Sequence, residues 1–285
     1  MPAVAQRGED LLGTAVVATT PVAGGDICTA TRLRLSDGRS ALVKTRPQAP
    51  PNFFATEAQG LEWLRAAGGA AVPEVLAVEP DCLIITWVET GRATPEAAER
   101  FGRALAATHT TGTECFGTHS GTDGYIGTLP LPNRSAETWP DFFATRRVLP
   151  YLKLANDRGG IGAADADAVE AAMHRLVDLA GPTEPPARLH GDLWSGNLLW
   201  GADGQVRVID PAAHGGHRET DLAMLALFGC PHLARVLEAY QEAAPLAVGW
   251  EDRAPLHRLF PLLVHASLFG GAYGPRAGEA ARSLI

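Results

Sequence analysis

The chain has 285 residues, enough for one large domain or for two lobes that each bury a core. It carries 24 Lys and Arg against 32 Asp and Glu, a formal net charge of −8, with no basic run. That balance argues against nucleic acid or an anionic membrane as the main partner, because an acidic surface repels phosphodiesters. Cys28, Cys82, Cys115 and Cys230 lie far apart and form no CxxC pair, which disfavours a disulfide framework or a zinc site. No window approaches about 18 uninterrupted apolar residues, and the N-terminus has no signal-like apolar run. A cytoplasmic protein with reduced thiols and no membrane span is expected.

Taken in chain order, the first third reads as strands and one helix. Thr29 to Leu35 alternates polar and apolar residues, Asp37-Gly38 supplies a turn, and Ala41 to Lys44 resumes as a strand. That pattern is a hairpin. From Phe54 to Ala67 the apolar residues 54, 58, 61, 64 and 65 fall on one helical face. Cys82 to Val88 is a continuous apolar run, as a strand buried on both faces should be. Beyond Gly91, helical patterns dominate, at about 95–110, 138–156, 164–180, 219–228, 231–243 and 251–270. A strand-like pair around 188–209 interrupts them. The expected class is α+β, in two lobes, with residues 1–90 as the β-rich lobe and 91–285 as the helical one.

The informative segment is His190-Gly-Asp-Leu-Trp-Ser-Gly-Asn197 followed by Val206-Arg-Val-Ile-Asp210. Leu198-Leu-Trp200 and Val206-Arg-Val-Ile209 read as two short strands. Pairing them about Gly201 to Gly204 sets 198 opposite 209 and 199 opposite 208. Asn197 and Asp210 then emerge together at the open end, with Asp192 on the loop leading in. Two carboxylates and an amide suit Mg²⁺, a hard ion that binds a few protein oxygens plus substrate phosphates. An Asp, an Asn five positions on and a strand-terminal Asp have the spacing of a kinase catalytic loop. Asp192 would orient or accept the proton of the acceptor hydroxyl, while Asn197 and Asp210 hold metal.

Such chemistry needs a phosphate-binding lysine with an acidic partner in the first lobe. Lys44 ends its strand, and Glu57 falls inside the apolar stripe of the following helix. A carboxylate on a buried face needs a cation, so Lys44 and Glu57 are the natural pair. Gly24, Gly25 and Asp26, in a glycine-bearing turn, could bring backbone N–H groups to the phosphates of ATP. Trp87, Val88 and Glu89 follow the buried strand at the lobe boundary, where adenine would meet the backbone. Trp194 suits either a sugar face or loop packing. His217, Arg218, Glu219 and Asp221 open a helix just after the metal site, and His217, Glu219 and Asp221 are candidates for holding the substrate or, for the two acids, the loop backbone. His109, His174, His257 and His265 are expected to be structural.

These residues resemble the fructosamine/ketosamine-3-kinase family, a branch related to aminoglycoside and choline kinases. The likeness rests on HGDLWSGN at 190–197, GHRETDLAML at 216–225, YIGTLPLPN at 125–133, Trp139 to Arg146, PLAVGWEDR at 245–253 and HASLFGGAYG at 265–274. It spans nearly the whole chain. The resemblance implies a protein-kinase-like fold and transfer of the ATP γ-phosphate, with Mg²⁺, to the 3-hydroxyl of a ketosamine. The unstable product would release the amine, so deglycation of a small molecule or of a glycated protein side chain is implied. It assigns Asp192 as base, Asn197 and Asp210 as metal ligands, Lys44 and Glu57 to the phosphates, and Gly24 and Gly25 to the phosphate loop. Some members carry a cysteine where this chain has Asp26, and many a tyrosine where it has His214. A kinase of another small alcohol, such as an aminoglycoside, and an inactive nucleotide-binding scaffold are the alternatives. All five of Lys44, Glu57, Asp192, Asn197 and Asp210 are present, which disfavours the scaffold.

Overall fold

Helix α1 (Pro2–Leu12) leads into strands β1 (Val16–Val22), β2 (Thr29–Leu35) and β3 (Ser40–Thr45), followed by α2 (Phe53–Arg65), β4 (Val75–Glu79) and β5 (Cys82–Thr86). The five strands form one antiparallel sheet in the order β1-β2-β3-β5-β4. The computed structural model describes residues 2–23, 27–118 and 121–285, so Gly24, Gly25 and Asp26 lie outside the described residues.

Both faces of the sheet are covered. Leu33, Leu35, Ala41, Val43, Cys82 and Ile84 pack with Val4, Leu11 and Leu12 of α1 on one side. On the other, Leu83, Ile85 and Leu42 meet Phe53, Phe54, Ala58 and Leu61 of α2. Double coverage is why β5 reads as an unbroken apolar run instead of alternating. The β2–β3 hairpin forms as its sequence requires, with Gly38 at φ 89° in the turn.

The remainder is mainly helical. After α3 (Pro95–Thr110) come β6 (Gly124–Ile126), β7 (Leu129–Leu131) and α4 (Trp139–Phe142). A π-type turn over Phe143–Val148 joins α4 to α5 (Leu149–Asp157), and α6 (Ala163–His174) and α7 (Leu176–Leu179) follow. Next are β8 (Ala187–Leu189), β9 (Leu198–Trp200), β10 (Val206–Val208) and β11 (His214–Gly216). The chain ends with α8 (Glu219–Phe228), α9 (Leu233–Ala243), α10 (Trp250–Phe269) and α11 (Tyr273–Arg282). Thr94 caps α3 by accepting from Ala97 N–H at 3.2 Å, and Pro95 supplies a first helical residue with φ preset. One core gathers Trp139, Phe143, Leu152, Leu256, Phe260 and Leu263, and a second packs Phe101 and Leu105 of α3 on Val206, Val208 and Tyr240. Each such side chain contributes roughly 1.5–3 kcal/mol when fully buried. No helix among the described residues is long and apolar enough to cross a membrane.

The β9–β10 hairpin departs from its expected register. Leu198 faces Val208 and Leu199 faces Arg207, one position off. The sequence suggested a turn centred between Asp203 and Gly204, but Gly201 N–H donates to Gln205 O at 2.8 Å and closes a three-residue loop. Gly204 at φ 77° is what such a loop needs. The shift leaves Ile209 N–H bonded to Asn197 O at 3.0 Å, so Asp210 begins one residue past the ladder.

Candidate active site

A cleft of about 1460 Å³ opens between the sheet and the helical part. Its walls bring together Lys44, Glu57, Asp192, Trp194, Asn197 and Asp210, drawn from β3, α2, the loop between β8 and β9, and the stretch after β10. Trp87 and Val88 also line it. Glu89 does not: its carboxylate bonds Arg32 at 3.1 Å and Trp87 Nε1 at 3.0 Å, and its carbonyl accepts from Ala202 N–H at 2.8 Å.

Lys44 Nζ donates to Glu57 Oε1 at 2.7 Å and to Asp210 Oδ1 at 2.8 Å. Burial works against its charge, but the two carboxylates outweigh it and hold the ammonium's pKa well above its usual value. The lysine therefore ties α2 to the end of the β9–β10 hairpin by charge. Asp210 adopts φ 55°, a left-handed conformation that costs a non-glycine residue roughly 1–2 kcal/mol. That conformation turns the chain sharply out of the hairpin and leaves the side chain 43% exposed in the cleft.

The loop from β8 to β9 is pinned from beneath. His190 N–H and Gly191 N–H donate to Asp221 Oδ2 and Oδ1 at 2.8 and 2.9 Å. Gly191 sits at φ 81°, and a β-carbon there would meet Ala212 O at 2.2 Å, so only glycine fits. His190 Nε2 donates to Ile209 O at 2.9 Å, which leaves Nδ1 to accept from Asp192 N–H at 3.3 Å. Burial lowers the His190 pKa and keeps the ring neutral.

Asn197 Nδ2 donates to Asp192 O at 2.8 Å and to Asp192 Oδ2 at 3.0 Å. The amide is thus oriented with Oδ1 left over, and that oxygen accepts no bond among the described residues. Burial raises the Asp192 pKa to about 7; the bond from Asn197 opposes the rise, and the carboxylates of Asp210 and Asp221 add to it. Asn197 Oδ1 and the second oxygen of Asp210 are the hard, unpartnered donors a divalent ion such as Mg²⁺ takes. Asp192, offset along the loop, lines the same cleft.

Trp194 is 38% exposed and lies over Gly196, where a β-carbon would come within 2.3 Å of its ring. It stands edge-on to Phe228 at 6.4 Å. Phe228 stacks obliquely on His265 at 4.6 Å, and His265 neighbours Tyr273 at 5.0 Å. These rings continue the cleft wall. His265 was expected to be structural and is found in the cleft lining, while Phe228 and Tyr273 were not singled out, although Tyr273 lies in the HASLFGGAYG string.

The expectations for His217, Glu219 and Asp221 as substrate contacts need correction, because none of the three lines the cleft. Asp221 is fully buried, accepts from the loop backbone, and has His109 Nε2 at 3.2 Å. Glu219 is gripped by Arg253 Nε and Nη2 at 3.1 and 2.5 Å, and His217 stacks beside Trp139 at 4.9 Å. The helix start they occupy, α8, is buried over Glu219 to Leu225 on every side. His257, buried as expected, completes the group: the donor atoms of His217, Glu219 and His257 lie within 4.8 Å of one another. His257 Nε2 is 3.2 Å from Glu219 Oε2 but off the hydrogen-bonding direction. With Arg253 already neutralising Glu219, this group is an internal ion-pair network and repels a further cation.

The family model for fructosamine kinase matches residues 1–285. A probable ketoamine kinase of Thermus thermophilus is 38% identical over 254 residues, covering 89% of this chain and 88% of that protein. A candidate fructosamine-3-kinase of Thermobifida fusca, solved by crystallography, shares 49% identity with a TM-score of 0.94, covering 100% of this chain and 99% of that one. An aminoglycoside phosphotransferase, solved in a ternary complex with AMP-PNP and hygromycin B, shares the fold at 17% identity and a TM-score of 0.67, over 99% and 98% of the two chains. A kinase-like lysine, its glutamate, and an Asp, Asn and Asp around one cleft, in a chain matched from end to end, lead to one assignment. This protein is a phosphotransferase of two-lobed, kinase-like α+β fold, and it belongs to the fructosamine kinase family.

Proposed function

We propose that the enzyme uses ATP and Mg²⁺ to phosphorylate the 3-hydroxyl of a ketosamine, and that loss of the unstable product frees the amine. The observation that carries the reading is the set of groups that meet in one cleft. Lys44 of the sheet bonds Asp210 of the β9–β10 hairpin end at 2.8 Å, and Asp192 and the exposed ring of Trp194 line the same cavity. In this reading residues 1–90 bind ATP, 91–285 supply the catalytic groups and bind the acceptor, and the work is done in the cytoplasm. Relatives named as ketoamine kinases support the acceptor class.

Each residue then has a task. Trp87 and Val88 would border adenine, and Lys44, held by Glu57, would neutralise phosphate oxygens. Asn197 Oδ1 and Asp210 would hold Mg²⁺, which when bound offsets charge on the transferred group. Asp192 would fix the acceptor hydroxyl and take its proton; its raised pKa of about 7 makes it a better base than an ordinary aspartate. Trp194 would stack on the C–H face of the sugar.

Turnover of ribulosyl-lysine and fructosyl-lysine, measured beside an aminoglycoside panel, tests the acceptor class. Ketosamine-dependent ADP release with aminoglycosides inert is expected; the reverse pattern would overturn the proposal. Trp194→Ala should raise the ketosamine KM beyond about tenfold and spare the KM for ATP. An equal loss for both substrates, with a lower Tm, would make Trp194 a packing residue.

A further inference from the structure

Asn133 and Arg147 were not singled out by sequence reasoning, and no part of the mechanism above uses them. Arg147 is 1% exposed, brought inward by the π-type turn that buries it beside Val148. Its partners are neutral: Nε donates to His214 Nε2 at 3.3 Å, Nη1 to Pro132 O, and Nη2 to Asn133 Oδ1 at 2.7 Å. Phe142 and Phe260 flank the guanidinium at 4.5 and 5.5 Å. A buried cation held only by dipoles is costly, so the fold maintains this arrangement at some expense.

Guanidinium nitrogens only donate, so the carboxamide of Asn133 must turn its oxygen toward Arg147. Its Nδ2 is left facing the cleft that Asn133 lines, and it makes no hydrogen bond among the described residues. Asn133 is 3% exposed. The residue is held in a buried setting while its amide N–H₂ stays unpaired and reachable from the cleft, so a ligand there can accept from it. The backbone fixes it on both sides: Asn133 N–H donates to Asp123 Oδ1 at 2.9 Å, and its carbonyl accepts from Thr118 N–H at 2.9 Å. Gly124 leaves the space before the nitrogen open, since even a β-carbon there would come within 3.4 Å of it.

The position relative to the reacting groups follows from the same chain of contacts. His214 donates from Nδ1 to Ala212 O at 2.8 Å and accepts from Arg147, so its polar atoms are used up. The His214 ring lies against Gly191, whose β-carbon would be 2.9 Å from Nδ1, and Asp192 is the next residue. Asn133 is thus linked to the loop bearing Asp192 through Arg147 and His214, and it lines the same cleft as Asp192.

We infer that Asn133 is an acceptor-recognition residue, donating its carboxamide N–H₂ to a hydroxyl or carbonyl oxygen of the sugar, and that Arg147 is the positioning residue that holds the amide in that orientation. The inference rests on the proposed ketosamine acceptor and adds a specificity-determining contact to it.

Asn133→Asp is the discriminating variant. It keeps an oxygen for Arg147, adds a charge to pair with it, and removes the donor. If Asn133 only satisfied Arg147, the variant would be at least as stable and fully active. The expected result is an undiminished Tm, a KM for ribulosyl-lysine and fructosyl-lysine raised about tenfold, and a KM for ATP within about twofold. An unchanged acceptor KM with Tm intact overturns the inference. Should the aspartate variant fail to fold, Asn133→Thr offers Arg147 a hydroxyl oxygen without an amide donor; the same split is expected, and an unchanged acceptor KM again overturns it. Wild-type enzyme inactive on both ketosamines overturns the parent reading, and the role of Asn133 with it.

Discussion

Asp210 and Asp221 stand on one stretch of chain, in segments equally rich in polar residues, and yet they sit in opposite surroundings. The Asp210 side chain is 43% exposed, is bonded among the described residues to Lys44 alone, at 2.8 Å, and keeps an oxygen open to the cleft. Asp221 is 0% exposed, and its oxygens are taken by two backbone N–H groups and His109. Asp221 accepts from the backbone of His190 and Gly191 and so fixes the loop, whereas Asp210 shares the cleft with Asp192. Chemistry is therefore assigned by what an oxygen has left over: Asp210 and Asn197 keep free lone pairs, whereas Asp221 and Glu219 have spent theirs inside the protein.

The sharpest way to break that comparison is to neutralise one carboxylate of each kind. Asp192→Asn retains an oxygen for the Asn197 amide and should keep its Tm, while kcat falls about 10²–10⁴-fold, the usual worth of a positioned base. Steady-state rates near wild type would remove Asp192 from the chemistry. Asp221→Asn should behave differently. An amide placed there turns N–H₂ toward a backbone N–H, leaving a buried donor unpaired at roughly 1–3 kcal/mol. A lower Tm and a reduced kcat, with both KM values unchanged, are expected from a loosened loop. A selective rise in acceptor KM would return Asp221 to the substrate.

The same contrast marks what the sequence makes legible. Helix α3 occupies 95–110 as read, because Thr94-Pro95 is an explicit start signal, and Lys44–Glu57 follows from a charge trapped in an apolar stripe. The set Asp192, Asn197 and Asp210 was readable from spacing alone, since a hairpin forces its two ends together whatever its register. Helices α1 and α11 and strands β1 and β11 were not: Gly274, Pro275 and Gly278 read as breakers in α11, α1 opens on a proline and carries Gly8, β1 contains Pro21, and β11 is three residues long. His217, Glu219 and Asp221 were misplaced for a deeper reason: α8 is buried all round, so polar residues at its start carry no sign of facing inward. Asn133 and Arg147 left a trace only in the arginine set beside Val148 after Phe142-Phe143, where a soluble helix would expose it.

The sealed network also predicts a pH response of its own, which can be read one ring at a time. His217 is buried against Trp139, with His257, Glu219, Arg253 and Arg218 around it and Glu184 Oε2 at 3.9 Å. Burial first, then the positive field of His257, Arg253 and Arg218, lowers its pKa to about 3, and Glu219 only partly offsets this. His214, buried beside Arg147, is likewise lowered to about 3. The unfolded chain takes up protons at these histidines near pH 6.5, while the folded chain does not until about pH 3. Their contribution to stability is therefore complete above about pH 6.5 and drains away as pH falls toward 3. At pH 5.5 each histidine should cost about 1.4 kcal/mol relative to neutral pH. Glu219 adds nothing in that window, because, against the cost of burial, the nearness of His257 and the bonds from Arg253 hold its pKa down to about 2, and its loss comes only below pH 4.5. Urea unfolding of wild type and His217→Gln at pH 8 and pH 5.5 measures the share of one ring. Glutamine does not titrate, so the gap between the two proteins should narrow by about 1.4 kcal/mol at the lower pH. A gap that stays constant would show His217 protonating freely in the folded protein, and the network around Glu219 would then be open to solvent in the way Asp210 is.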